Sequence, residues 1–186
     1  FIKLYQSILK LKIKTMKKIL LCFLVSASLT ACSNQETKKE TEDPNMALFR
    51  ENAKLVDASF KAYCKKDLTE WATYWSDTLK YHSAGYGQKD ISKAEILDRS
   101  SNFFKLVNNL KVNVTILPGV DEVTLKPDGS VRVYAIWSGD FTNNAPKIDL
   151  KSYFSYKLDK DHKIYDGDEY FDVSGWLKVA TAAPIK

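Results

Sequence analysis

The chain has three cysteines, two histidines and seven glycines, and lacks any apolar run long enough to cross a bilayer. Each shortage removes a class of protein. Cys22 and Cys32 fall in a leader, which leaves Cys64 alone and rules out a disulfide within the domain that follows. His82 and His162 have no Cys or Asp at ligand spacing, so no metal site is expected and no cofactor is implied. The glycines form no phosphate-cradling loop. The longest apolar stretch, residues 19–29, is about half of the ~20 residues a spanning helix needs.

That stretch has another use. Lys17 and Lys18 precede it, and Leu29-Thr30-Ala31-Cys32 closes it. A charged start, an apolar centre and a small-residue cleavage point make a secretory signal. The last four residues resemble the lipobox of bacterial lipoproteins. The resemblance implies a signal over residues 16–31, removal of that signal, and acylation of Cys32 as the first mature residue. It also implies an anchor in the cell envelope through acyl chains on Cys32. Ser33 resembles the residue found after the lipidated cysteine in lipoproteins sent to the outer membrane, where the domain would face the periplasm or be surface-exposed. Residues 1–15 precede a complete signal and are read as untranslated upstream sequence.

Removing the leader also removes the apparent basicity. The full chain carries 28 basic and 23 acidic residues, a net +5. Six of the lysines and none of the acids lie in residues 1–31, so 22 basic and 23 acidic residues remain, a net −1. No basic surface is left to argue for nucleic acid. Residues 33–43 hold no apolar side chain and read as a flexible tether, reaching some 20 Å at ~5–6 Å × √n.

Residues 44–186 read as one domain. Asp43 and Pro44 open a first helix with Phe49, Ala53, Val56, Phe60 and Tyr63/Cys64 on its apolar stripe. Asp67 caps a short second helix that presents Leu68, Trp71 and Trp75. A strand is expected over residues 78–83. Ser92 and Glu95 form a capping box for a third helix with Ile96, Phe103 and Leu106 inward. From Leu110 the period changes to two, and strands follow with turns expected at Pro127-Asp128-Gly129, Asn143-Asn144 and Lys160-Asp161-His162. This order argues an α+β fold, a curved antiparallel sheet wrapped around about three helices.

The set Lys66-Asp67-Leu68, Tyr74-Trp75-Ser76-Asp77, Trp137-Ser138-Gly139 and Glu169-Tyr170-Phe171-Asp172 resembles the SnoaL-like branch of the nuclear transport factor 2-like superfamily. The resemblance implies a cone-shaped fold around one deep pocket and a possible homodimer through the sheet. It covers binding domains as well as enzymes, so the pocket residues must decide. The positions matching a ketosteroid isomerase's base and oxyanion hole are Ser83, Ser59 and Ser152, which cannot do that chemistry. Those matching an epoxide hydrolase are Tyr81, Ser83 and Glu169. Its further Arg and Asp fall on Arg132 and Tyr134, so that relay is incomplete.

Strand alternation puts Tyr165, Gly167, Glu169 and Phe171 on one face of their strand, and Ile148, Leu150, Ser152, Phe154 and Tyr156 on one face of theirs. If Phe154 and Phe171 line the pocket, Glu169 enters it and becomes the candidate catalytic base. The competing reading puts Glu169 in a solvated patch with Asp166, Asp168 and Asp172. Asp140 is a possible second acid at the rim. Tyr81, Ser83, Trp75, Trp137, Ser152, Phe154 and Phe171 are the expected pocket residues, and Tyr74, Tyr86 and Phe103 join the aromatic core. Cys64 reads as a buried structural thiol, and His82 and His162 as exposed. The expectation is a lipid-anchored domain binding a small apolar ligand. The alternative is a general-base enzyme (hydrolase, isomerase or cyclase) using Glu169.

Overall fold

The computed structural model describes residues 43–143 and 147–181. The expected signal, Cys32 and the tether before Asp43 lie outside the described residues, as do residues 1–15 and Asn144.

Two helices start the domain where their caps predict. The Asp43 carboxylate accepts from the Asn45 amide and opens α1 (Pro44–Cys64). Asp67 accepts from the Glu70 amide and opens α2 (Leu68–Ala72). β1 (Trp75–His82) begins three residues earlier than expected, so Trp75 belongs to a strand and not to the second helix. The capping box of Ser92 and Glu95 is fully formed at the start of α3 (Lys93–Phe104). There follow β2 (Val107–Val120), β3 (Pro127–Phe141), β4 (Ile148–Leu158), β5 (Ile164–Phe171) and α4 (Val173–Ala180).

Three differences from the sequence-based expectation have physical causes. The turn between β2 and β3 lies over residues 121–126, where Asp121 accepts from the amides of Val123 and Thr124. Pro127-Asp128-Gly129 is already strand; Gly129 takes φ +85°, which glycine adopts without strain. The sheet is mixed, in the order β1-β5-β4-β3-β2, because the edge strand β1 runs parallel to β5. The other neighbours are antiparallel, as expected. The fourth helix, α4, has no counterpart among the expected elements. Asp172 caps it by accepting from the Gly175 amide, and none of its residues is fully buried.

α1 packs on β2 and β3 and carries Val56 and Phe60 into the core with Val131, Val133 and Ile164. Its buried stripe is wider than the apolar pattern, because Asn52 and Ser59 are also buried. Asn52 Nδ2 donates to the Gly129 carbonyl at 2.9 Å, tying the helix to β3. A second apolar cluster of Val107, Leu110, Phe141 and Ile148 meets Phe103 and Trp176. The sheet's register sorts its two faces. Val133, Phe154 and Glu169 lie abreast on the inner face, while Tyr134, Tyr153 and Tyr170 lie abreast on the outer one. Tyr165, expected beside Glu169, is exposed; the register shifts between Lys157 and Leu158, next to it. Tyr86 is fully exposed on the β1–α3 segment and plays no part in the core.

Candidate functional site

A cavity of about 340 Å³ lies between α1, α3 and the inner face of the sheet. Of the expected pocket residues, Trp75, Tyr81, Trp137, Ser152, Phe154, Phe171 and Glu169 line it. Ser83 does not. It lines a neighbouring groove with Gln88, Ile91 and Glu95; Arg99, Phe171 and Trp176 border both spaces.

Phe60 projects from α1 against the sheet, with ring centroids 5.4 Å from Phe154 and 5.7 Å from Trp137. Trp75 meets Trp71, Tyr81 and Tyr156 edge-on, at 5.1–5.9 Å. Edge-to-face contacts of this kind fix ring orientation and hold the wall in shape. Trp137 Nε1 donates to Ser152 Oγ at 2.9 Å, so Ser152 serves a neighbour instead of facing the cavity unpaired.

One polar cluster interrupts the apolar wall. Glu169 is buried, with 8 % of its surface exposed, and does not join the outer acids. Tyr81 Oη donates to Glu169 Oε2 at 2.9 Å, and Arg99 Nη2 donates to Oε1 at 2.7 Å. Arg99 Nη1 reaches Ser83 Oγ at 2.9 Å. Tyr156 stands beside the Tyr81 phenol. Gly167 makes room for this pair, since a Cβ there would sit 3.0 Å from the Tyr81 ring and 3.1 Å from that of Tyr156.

The electrostatics follow from burial. The Tyr81 phenol is pushed far up by desolvation, and next by the negative fields of Tyr156 and Glu169. It therefore stays protonated and donates to Glu169. Burial works against the Arg99 charge, but the adjacent Glu169 carboxylate outweighs it and the net shift is upward. Tyr63, also in the lining, is raised by desolvation despite a hydrogen bond with Ser100. Glu169 offers two oxygens with about four lone-pair positions, of which two are occupied.

Arg99 is a cavity residue that strand alternation does not reach. Its signal is helical: Ile96, Arg99, Ser100 and Phe103 occupy one stripe of α3, and all four line the cavity. Arg132 sits between Val131 and Val133, both fully buried, so it lies on the opposite face of β3 with the exposed Tyr134. Asp140 is outside the cavity, accepting from Asn109 Nδ2 at 2.8 Å. Cys64 is half-buried, not buried, and packs beside the second apolar cluster. Desolvation raises its thiol to about 11, which disfavours the nucleophilic thiolate. His82 is half-buried and lies within 2.7 Å of Asp90 and 3.6 Å of Asp166. Among the described residues, no three His, Cys, Asp or Glu side chains are placed to hold a metal ion.

No protein-family model matches the chain, and no curated protein matches it. Solved structures do. A putative isomerase from Bacillus subtilis shares 15 % identity at a TM-score of 0.61, over 74 % of this chain and 99 % of that one. A putative polyketide cyclase from Xanthomonas campestris shares 12 % identity at 0.57, over 72 % and 99 %. A protein of ketosteroid isomerase-like fold from Catenulispora acidiphila, in complex with trimethylamine, shares 15 % identity at 0.53, over 68 % and 91 %. The chain has the nuclear transport factor 2-like, ketosteroid isomerase-like fold.

Proposed function

We propose that this chain is a lipid-anchored domain that binds a small, largely apolar molecule in the cavity beneath α1. The cavity itself carries the reading. At about 340 Å³ it falls in the range of small-molecule sites, and aromatic rings dominate its wall. An engineered cavity of about 150 Å³ takes one benzene, so this one has room for roughly two such rings. A purely structural role gives no reason for an open, aromatic-lined space of this size.

Mass spectrometry of small molecules extracted from the purified protein tests the reading. A retained molecule of that size supports it. A protein whose tryptophan emission responds to none of a panel of compact apolar compounds contradicts it. For the anchor, the support is the Leu29-Thr30-Ala31-Cys32 box after Lys17-Lys18 and a short apolar centre. A clickable fatty acid should label the wild type and leave Cys32→Ser unlabelled. The envelope location, with the domain held at the outer membrane, belongs to the same proposal. So does a homodimer through the sheet, which the outer-face row of Tyr134, Tyr153 and Tyr170 supports, with Tyr134 and Tyr170 exposed and Tyr153 half-buried between them. Sedimentation of the purified protein tests it; a monomer at micromolar concentration is the contrary result.

A second reading, a general-base enzyme, is favoured by one observation: the Glu169 carboxylate lines the cavity. Against it, Arg99 and Tyr81 already hold both of its oxygens, and Ser83 stands in the neighbouring groove. An epoxide and ketone substrate screen separates the two. Turnover lost in Glu169→Gln with binding retained identifies a base; a wild type without turnover is a binder.

A further inference from the structure

Resting on the binding reading, we propose that the cavity selects an electrically neutral ligand, a compact apolar body bearing one carbonyl or hydroxyl group, which it receives at Arg99. The argument is one of charge closure. Among the described residues that line the cavity, Arg99 and Glu169 are the charged ones, and they are paired to each other at 2.7 Å. An anion entering the cavity finds Arg99 already neutralised by Glu169, and a cation finds Glu169 already neutralised by Arg99. Either ion gives up part of its water against an aromatic wall and finds no uncommitted charge of opposite sign, which is costly. The adjoining groove adds Glu95, whose carboxylate is engaged with the Ser92 amide and hydroxyl. That second acid makes the approach still less favourable for an anion.

The same residues welcome a neutral acceptor. A guanidinium has five N–H donors. Arg99 uses one toward Glu169 and one toward Ser83, and its side chain remains 45 % exposed, so donors are left over on the side facing the two spaces. Trp75, another lining residue, holds a buried indole N–H with no partner. The site is thus rich in donors and poor in net charge. A hydroxyl can also donate to one of the vacant lone-pair positions of Glu169. An apolar body fits the remaining wall, from Phe60 and Phe154 to Trp176.

Four probes of one shape test the inference on the purified full chain: 2-adamantanone, adamantane, adamantane-1-carboxylate and 1-aminoadamantane, the last two being ions at pH 7. All four tryptophans of the chain line the cavity, so their emission reports occupancy. The ketone should bind at least about tenfold more tightly than either ion, a difference of about 1.4 kcal/mol. It should also outbind the bare hydrocarbon. Either ion binding as tightly as the ketone overturns the inference and leaves the binding reading standing. No response to any probe overturns the binding reading itself, and the inference with it. Glu169→Gln removes the negative partner and should turn the preference toward the carboxylate, again by about tenfold. An unchanged ranking in a folded Glu169→Gln protein overturns the charge argument. If that variant does not fold, the wild-type ranking decides alone.

Discussion

Asp168 and Glu169 are consecutive carboxylates on β5, and the strand sends them to opposite faces. Asp168 is partly exposed and stands on the outer face, abreast of Ser155 and Arg132. Glu169 is buried on the inner face, held by Tyr81 and by Arg99. The two differ by one methylene in chemistry and by almost everything in environment. A carboxylate facing water costs the fold little and contributes little. A buried one must be paired completely, and the residues that pair it become a fixed polar feature in an apolar wall. The inner acid, with Arg99, is therefore the charged feature of the cavity wall, and the outer one faces partly to water.

The largest effect should come from breaking the inner pair. Arg99→Ala leaves Glu169 buried with the Tyr81 hydroxyl as its remaining side-chain partner among the described residues. Losing one partner of a buried ion pair costs about 3–5 kcal/mol, and the partial exposure of Arg99 brings the expectation to about 2–3 kcal/mol. Urea denaturation reads this as a lower midpoint with an unchanged slope. A loss under about 1 kcal/mol, the size of an exposed pair, would mean that water, and not Arg99, solvates Glu169.

Much of this arrangement is legible in the order of the amino acids. The helix starts at Asp43, Asp67 and Ser92 follow from local capping chemistry, which a side chain and the next three amides settle between them. Period-two alternation likewise puts Glu169 on the same face as Phe171, and both reach the cavity. What stays hidden depends on contacts distant in sequence. The parallel pairing of β1 with β5 has no turn to announce it. Ser83 falls outside the cavity because β1 ends at His82, after which the chain leaves the sheet and alternation no longer applies. Arg99 escapes notice because a charged residue in an amphipathic helix ordinarily faces water, although its position between Ile96 and Phe103 is on the buried stripe. α4 is eight residues long, with Gly175 in its first turn, too short and too irregular for periodicity to show.

The intermediate effect compares the two acids directly. Tyr81→Phe removes one donor from Glu169 and should cost about 1.5 kcal/mol, as for a hydrogen bond to a charged group. Asp168→Asn removes the outer charge and should stay within about 0.5 kcal/mol, as surface changes do. Both are read from denaturation midpoints. Equal losses in the two variants would erase the distinction between the faces.

The smallest effect lies at the edge of the outer face, where His82 is flanked by acids. Its Nδ1 is 2.7 Å from Asp90 and its Nε2 is 3.6 Å from Asp166, with Asp168 adding to the negative field. The hydrogen bond to Asp90 is the main reason its folded pKa is raised, and burial opposes it. The unfolded chain should titrate near the ordinary value of about 6.5. The imidazolium contribution is therefore complete below that pH and disappears as the pH rises through the higher folded value. What it holds is the segment from Ser83 to Ser92, which is also tied by the paired backbone bonds of Tyr81 and Ile91 and borders the groove beside Arg99. Amide exchange in that segment, corrected for intrinsic rates, should quicken as His82 deprotonates, while the β3–β4 amides stay protected. Asp90→Asn should move the His82 titration downward, followed by imidazole proton resonances, and should carry the pH of loosening down with it. If the titration moves and the exchange profile does not, the backbone pair alone holds this edge, and the outer acids have no part in shaping access to the inner one.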